Sequence, residues 1–142
     1  TLNLNTGGGG ASTLMQFRGN DGVFTTVSIG TLSLAGTVAI SATAPTVTGF
    51  GTMPSVVASN GTAASTINVG TGGTATTGTI TFPTVTTGWV VSCYDVTTPA
   101  SFVTDQTGGT TTTATVTNYS RTTGLATAWT ASDILRCMAL AY

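Results

Sequence analysis

No histidine, lysine or glutamate occurs in this 142-residue chain, and its charge is confined to three arginines and four aspartates, net -1. Without histidine there is no Ser-His-Asp or Cys-His catalytic arrangement and no imidazole metal site. Arg18, Arg121 and Arg136 are scattered along the chain. They form no basic patch, which argues against nucleic acid and anionic membrane surfaces as partners. No apolar run approaches the roughly 20 residues that span a bilayer. The opening Thr1-Leu2-Asn3-Leu4-Asn5 lacks the charged and apolar regions of a signal peptide. No Asp-x-Asp-x run offers clustered oxygens to calcium, and Gly7 to Gly10 is not followed by the lysine of a phosphate loop. No metal and no cofactor is expected. The scarcity of charge is not a sign of disorder either, because 40% of the residues are hydrophobic and the mean hydropathy is +0.36.

What the chain does contain is 36 threonines and 19 glycines. Threonine is β-branched and suits a pleated surface, so a quarter of the chain favours strands. Glycine pairs and Asn-Gly steps divide it at Gly19 to Gly22, Asn60-Gly61, Gly70 to Gly73 and Gly108-Gly109. Between these signals the runs Val23 to Ile29, Thr37 to Ile40, Ser55 to Ala58, Ala64 to Val69, Thr77 to Phe82, Trp89 to Tyr94, Phe102 to Gln106, Thr111 to Asn118 and Ile134 to Tyr142 read as strands. The expected fold is all-β, an antiparallel β-sandwich or jelly-roll-like domain. The clearest hairpin sets Phe102 to Gln106 against Thr112 to Thr117, closed by a loop holding Gly108-Gly109. Thr130-Ala131-Ser132-Asp133 reads as one helical turn, with Thr130 as cap and Asp133 three residues on.

Composition shifts near Pro45. Residues 1–44 read as an extended, glycine-punctuated N-terminal arm, whose short alternating pieces bury too little apolar surface by themselves. Residues 45–142 hold both tryptophans, both cysteines and most large apolar residues, enough for a β-domain. In the last strand Ile134, Arg136, Met138, Leu140 and Tyr142 share one face and Leu135, Cys137, Ala139 and Ala141 the other. Both faces are mainly apolar. One should meet the domain's own core, the other a second sheet or another subunit.

Few residues could carry chemistry. Cys93 and Cys137 fit a disulfide, a redox pair or, as the leading reading, two buried thiols in apolar strands. Asp95 and Asp105 flank a connection and would be the pair of a glycosidase; isolated turn aspartates solvating the surface are the expected reading. Trp129 and Tyr119, in loops near Arg121, are the candidate contacts for a glycan, although packing is favoured for these aromatics as for Trp89 and Tyr94. The sequons at Asn60 and Asn118 are read as chance in so threonine-rich a chain.

Several spaced motifs carry a resemblance: Thr48-Gly49-Phe50-Gly51, Pro54-Ser55, Asn60-Gly61-Thr62-Ala63-Ala64, Asn68-Val69-Gly70-Thr71-Gly72-Gly73-Thr74-Ala75, Thr87-Gly88-Trp89, Ala128 to Asp133 and Cys137 to Tyr142. Residues 45–142 thereby resemble a β-rich C-terminal module of tailed-bacteriophage virion proteins. The resemblance implies a homotrimer on the particle surface, assembled in the host cytoplasm, that contacts other virion proteins such as the major capsid protein. It brings no catalytic residues. The expected function is non-enzymatic, a capsid decoration protein or head fibre; the alternative is a tail-fibre tip recognising a host surface glycan.

Overall fold

The computed structural model describes residues 41–142, so the arm expected over residues 1–44, with its strands at Val23 to Ile29 and Thr37 to Ile40, lies almost wholly outside the described residues. The described chain is all-β. Its eight strands are β1 (Thr46–Thr48), β2 (Ser55–Asn60), β3 (Ala64–Asn68), β4 (Thr77–Thr81), β5 (Trp89–Asp95), β6 (Phe102–Gly109), β7 (Thr113–Ser120) and β8 (Ile134–Ala141). They form two four-stranded antiparallel sheets, ordered β1-β4-β7-β6 and β2-β3-β8-β5. The inward residues of both sheets meet in one core, with Ile80, Ala114 and Val116 from the first and Ile67, Val91 and Leu135 from the second. This is the two-sheet, sandwich-like form of the expected fold. The C-terminal strand β8 is central, paired with β3 on one side and β5 on the other, which ties down the chain end.

Period-2 alternation sets the faces. Along β5, Trp89, Val91, Cys93 and Asp95 are buried while Val90, Ser92 and Tyr94 are exposed. Phe82 stacks on Trp89 with ring centroids 4.4 Å apart, and Phe50 tilts against Trp129 at 5.3 Å. Cys93 and Cys137 stand directly opposite on β5 and β8, with Cα atoms 4.1 Å apart, and are joined by a disulfide. This corrects the reading of two buried thiols. Both side chains do point into the core, but register also makes them cross-strand neighbours, which neither apolar run reveals alone.

Three local readings change. Gly108 and Gly109 are not the hairpin loop: they extend β6 past a bulge at Thr107 and pair with Thr115 and Ala114. The turn is made by threonine, whose Thr110 Oγ1 accepts from the Thr112 and Thr113 backbone N–H groups, both at 3.1 Å. Thr130 to Asp133 is a reverse turn and not helix: Asp133 N–H donates to the Thr130 carbonyl, and Ser132 has φ +63°. The Asp133 carboxylate still reaches back to Thr130 N–H at 3.0 Å, as a capping box would, but strand β8 starts at the next residue. Strand β1 has no counterpart in the sequence reading because three residues after a proline carry too little alternation to register.

Strand β5 is an edge strand, and its free edge is closed by side chains of β6. Gln106 Oε1 accepts from Val91 N–H at 2.6 Å while its Nε2 donates to the Trp89 carbonyl at 2.8 Å. Thr104 Oγ1 donates to the Cys93 carbonyl. The amide of Gln106 thus stands in for one peptide unit of a ninth strand, which removes the template that an open edge presents. Gln106→Glu is expected to cost about 2 kcal/mol, because a carboxylate oxygen then faces the Trp89 carbonyl without a proton to share. Urea unfolding would measure it, and Gln106→Met, which introduces no charge but removes both bonds, should fall in the same range.

Candidate functional site

The two sheets turn chemically different faces to the outside. On the β1-β4-β7-β6 sheet, alternation puts Thr46 and Thr48 of β1, Thr77, Thr79 and Thr81 of β4 and Thr113, Thr115 and Thr117 of β7 on the outer side, in cross-strand register, with Thr117 alone buried there. Hydroxyls there bond one another, as Thr107 Oγ1 and Thr117 Oγ1 do at 2.6 Å. On the β2-β3-β8-β5 sheet the outer side carries Val90, Tyr94, Met138, Leu140 and Tyr142, all exposed. The β8 face expected to meet the core is the Leu135, Cys137, Ala139 face. The Met138, Leu140 face meets nothing within the described residues.

The glycan candidates separate. Trp129 is 3% exposed and packed on Phe50, so it offers no surface to a ligand. Tyr119 and Arg121 do come together, at one end of the hydroxyl face, where they line a depression of about 430 Å³ with Val103, Asp105, Ser120 and Gly124. Arg121 is held by its Nε, which donates to the carbonyls of Pro99 at 2.9 Å and Phe102 at 2.8 Å. An aromatic ring, a guanidinium and a carboxylate around one shallow hollow can receive a polar ligand by stacking and charge-assisted hydrogen bonds. Asp105, which the sequence offers as a glycosidase partner of Asp95 only in its rival reading, stands beside Tyr119 and Arg121.

Asp95 and Asp133 are both buried; for Asp95 this corrects the reading of a turn aspartate that solvates the surface. Asp95 accepts from the Thr97 and Thr98 N–H groups at 2.7 and 3.0 Å and from Thr98 Oγ1 at 2.7 Å, so its carboxylate is spent on a local turn. The glycosidase pair is not assembled, since Asp105 is exposed in the depression and Asp95 points inward. Asp133 Oδ1 lies 3.5 Å from the same Thr98 hydroxyl. That hydroxyl has one proton, already given to Asp95, so it does little to satisfy Asp133. Burial, and next the neighbouring Asp95 charge, push the Asp133 carboxyl above the ordinary carboxylate range. A group that binds its proton more tightly when folded stabilises the fold fully below its unfolded pKa and loses that contribution as pH rises through its folded pKa. The Asp133-dependent part of stability should therefore decline from acid toward neutral pH. Asp133→Asn should remove that decline and be the more stable form at neutral pH, as read from thermal unfolding across the range.

Among the described residues, no three histidine, cysteine, aspartate or glutamate side chains gather as a metal site. Asn118 is fully buried, so the second sequon cannot carry a glycan in this fold. Neither buried carboxylate was legible as one of a pair, because 38 residues separate Asp95 from Asp133 in the chain and only the β5–β8 register brings their turns together. Comparison with protein-family models, with curated proteins and with solved structures finds no match to the chain.

Proposed function

We infer that the chain is a non-enzymatic virion structural protein of a tailed bacteriophage, a capsid decoration protein or head fibre exposed on the particle as a homotrimer. The spaced motifs of residues 45–142 support this reading, and so does a two-sheet domain whose buried carboxylates, Asp95 and Asp133, serve its own turns. The observation that carries it is the exposed apolar face of the β2-β3-β8-β5 sheet. A free solute of net charge -1 with such a face would tend to associate, whereas a permanent assembly buries it. The threonine face is what remains for water. Mixing the purified full chain with emptied capsids and pelleting them tests the reading: the chain should pellet at a fixed copy number per capsid. A chain that stays in the supernatant overturns the decoration role.

The depression at Tyr119, Arg121 and Asp105 favours a second reading, a tail-fibre tip that binds a host surface glycan. Host-cell or glycan-array binding abolished by Tyr119→Ala and Arg121→Ala would select it over decoration. Trp129→Ala is not a useful probe, since it would empty part of the core.

A further inference from the structure

The outer face of the β2-β3-β8-β5 sheet has two halves. At one end Val90, Leu140 and Tyr142 project where β8 has run past its pairing with β3, which ends at Met138 opposite Ala64. At the other end small residues, among them Ala58, Ala64 and Ser92, floor a trough of about 400 Å³ walled by Tyr94 and Met138. We propose that this face is a subunit interface: copies of the chain meet through it, the projecting end of one copy seated in the trough of the next, closing a symmetric oligomer.

Three observations carry the proposal. The first is area. Val90, Tyr94, Met138, Leu140 and Tyr142 are each between 56% and 67% exposed, and with side chains of this size they open roughly 600 Å². That lies at the upper end of the largest patch found on an ordinary monomer, and with the polar floor of the trough it approaches the ~800 Å² per partner of a stable interface. The second is shape. Projection and trough lie on the same face, so one surface holds both halves of a contact between identical copies, and the assembly closes when the rotation from copy to copy completes a ring. The third is charge. Among the described residues Arg136 is the single charged side chain on the face, at the trough end, so no row of like charges opposes the approach of identical surfaces and no acidic partner is needed to balance one. The threonine-clad outer face of the other sheet provides the internal contrast: the same chain covers a sheet with hydroxyls where it meets water.

The chain carries its own reporters. Met53 is 79% exposed and lies off this face, while Met138 is 67% exposed on it. In a monomer the two should be oxidised by dilute hydrogen peroxide at similar rates. In the proposed oligomer Met138 should react about tenfold more slowly than Met53. Light scattering of the full chain should give a closed oligomer at about 100 µM. Leu140→Asp, an exposed position whose change leaves the core intact, should give monomers and equal methionine rates, whereas Thr79→Asp on the hydroxyl face should change neither. A monomeric wild-type chain overturns the proposal. So does a wild-type oligomer in which Met138 reacts as fast as Met53, or a protected Met138 in a chain that scatters as a monomer. None of these readings involves a capsid, so the interface and the virion role can fail separately.

Discussion

Gly78→Ala is expected to lower the unfolding free energy by about 3 kcal/mol, the upper range for overpacking a core. Gly78 is the inward residue between Thr77 and Thr79 of β4, and Phe50 lies flat over it. A methyl at Gly78 would fall within the van der Waals envelope of the Phe50 ring, touching Cγ, Cδ1 and Cδ2. The ring has nowhere to retreat, because Phe50 is fully buried and Trp129 stands on it at 5.3 Å. Urea denaturation of the single and double variants tests the mechanism. Phe50→Leu alone should destabilise, yet the combination with Gly78→Ala should cost clearly less than the two separate costs combined, since the smaller side chain vacates the space the methyl needs. Additive costs would show that the ring is not the obstacle.

Loss of the Cys93–Cys137 bond has the second large expected effect. The bond closes a loop with a sequence separation of 44, for which the chain-entropy account gives about 4 kcal/mol of stabilisation through restriction of the unfolded state. Both cysteines are also buried and cross-strand, so the bond joins the central strand β8 to the edge strand β5. The expected result is a fall of about 3–4 kcal/mol in the unfolding free energy when the wild type is fully reduced, with the urea midpoint moving toward that of Cys93→Ala/Cys137→Ala. Thiol titration should find two reactive groups after denaturation in reductant and none in the oxidised protein. An unchanged midpoint with both thiols demonstrably free would overturn it. The same loss bears on display: β5 carries Val90 and Tyr94 of the exposed apolar face, so reduction should loosen that face before the hydroxyl face of the other sheet.

These effects show where the sequence is informative. Seven of the eight strands coincide with the runs read between glycine and asparagine turn signals, and the faces of β8 follow from counting alone. Local rules suffice there, because pleating sends successive side chains to opposite sides whatever lies beyond. Local rules mislead at Gly108 and Gly109, where the usual turn residue is used in a bulged strand and threonine hydroxyls make the turn. They also mislead at Thr130 to Asp133, where a capping pattern serves a reverse turn that feeds directly into β8.

The candidate surfaces were legible only in part. Tyr119 and Arg121 are two residues apart, so their meeting needed only β7 and the turn after it. Asp105 joins them because Val103 on β6 pairs with Tyr119 on β7. For Trp129 the favoured reading of packing holds: its loop folds inward and places it on Phe50, 79 residues earlier in the chain, a partner the loop itself does not name.

By itself the amino-acid sequence determined that the chain is built of strands, where most of them run, which side chains share a face, and that histidine- and lysine-dependent chemistry is absent. These are matters of composition and of period 2. Tertiary structure alone decided which face of β8 is core and which is open, that Cys93 meets Cys137, that Gln106 closes the β5 edge, and that Asp95 and Asp133 share one hydroxyl. Each of these depends on register between strands distant in the chain, and register is set by the packing of the whole sandwich, not by any segment of it.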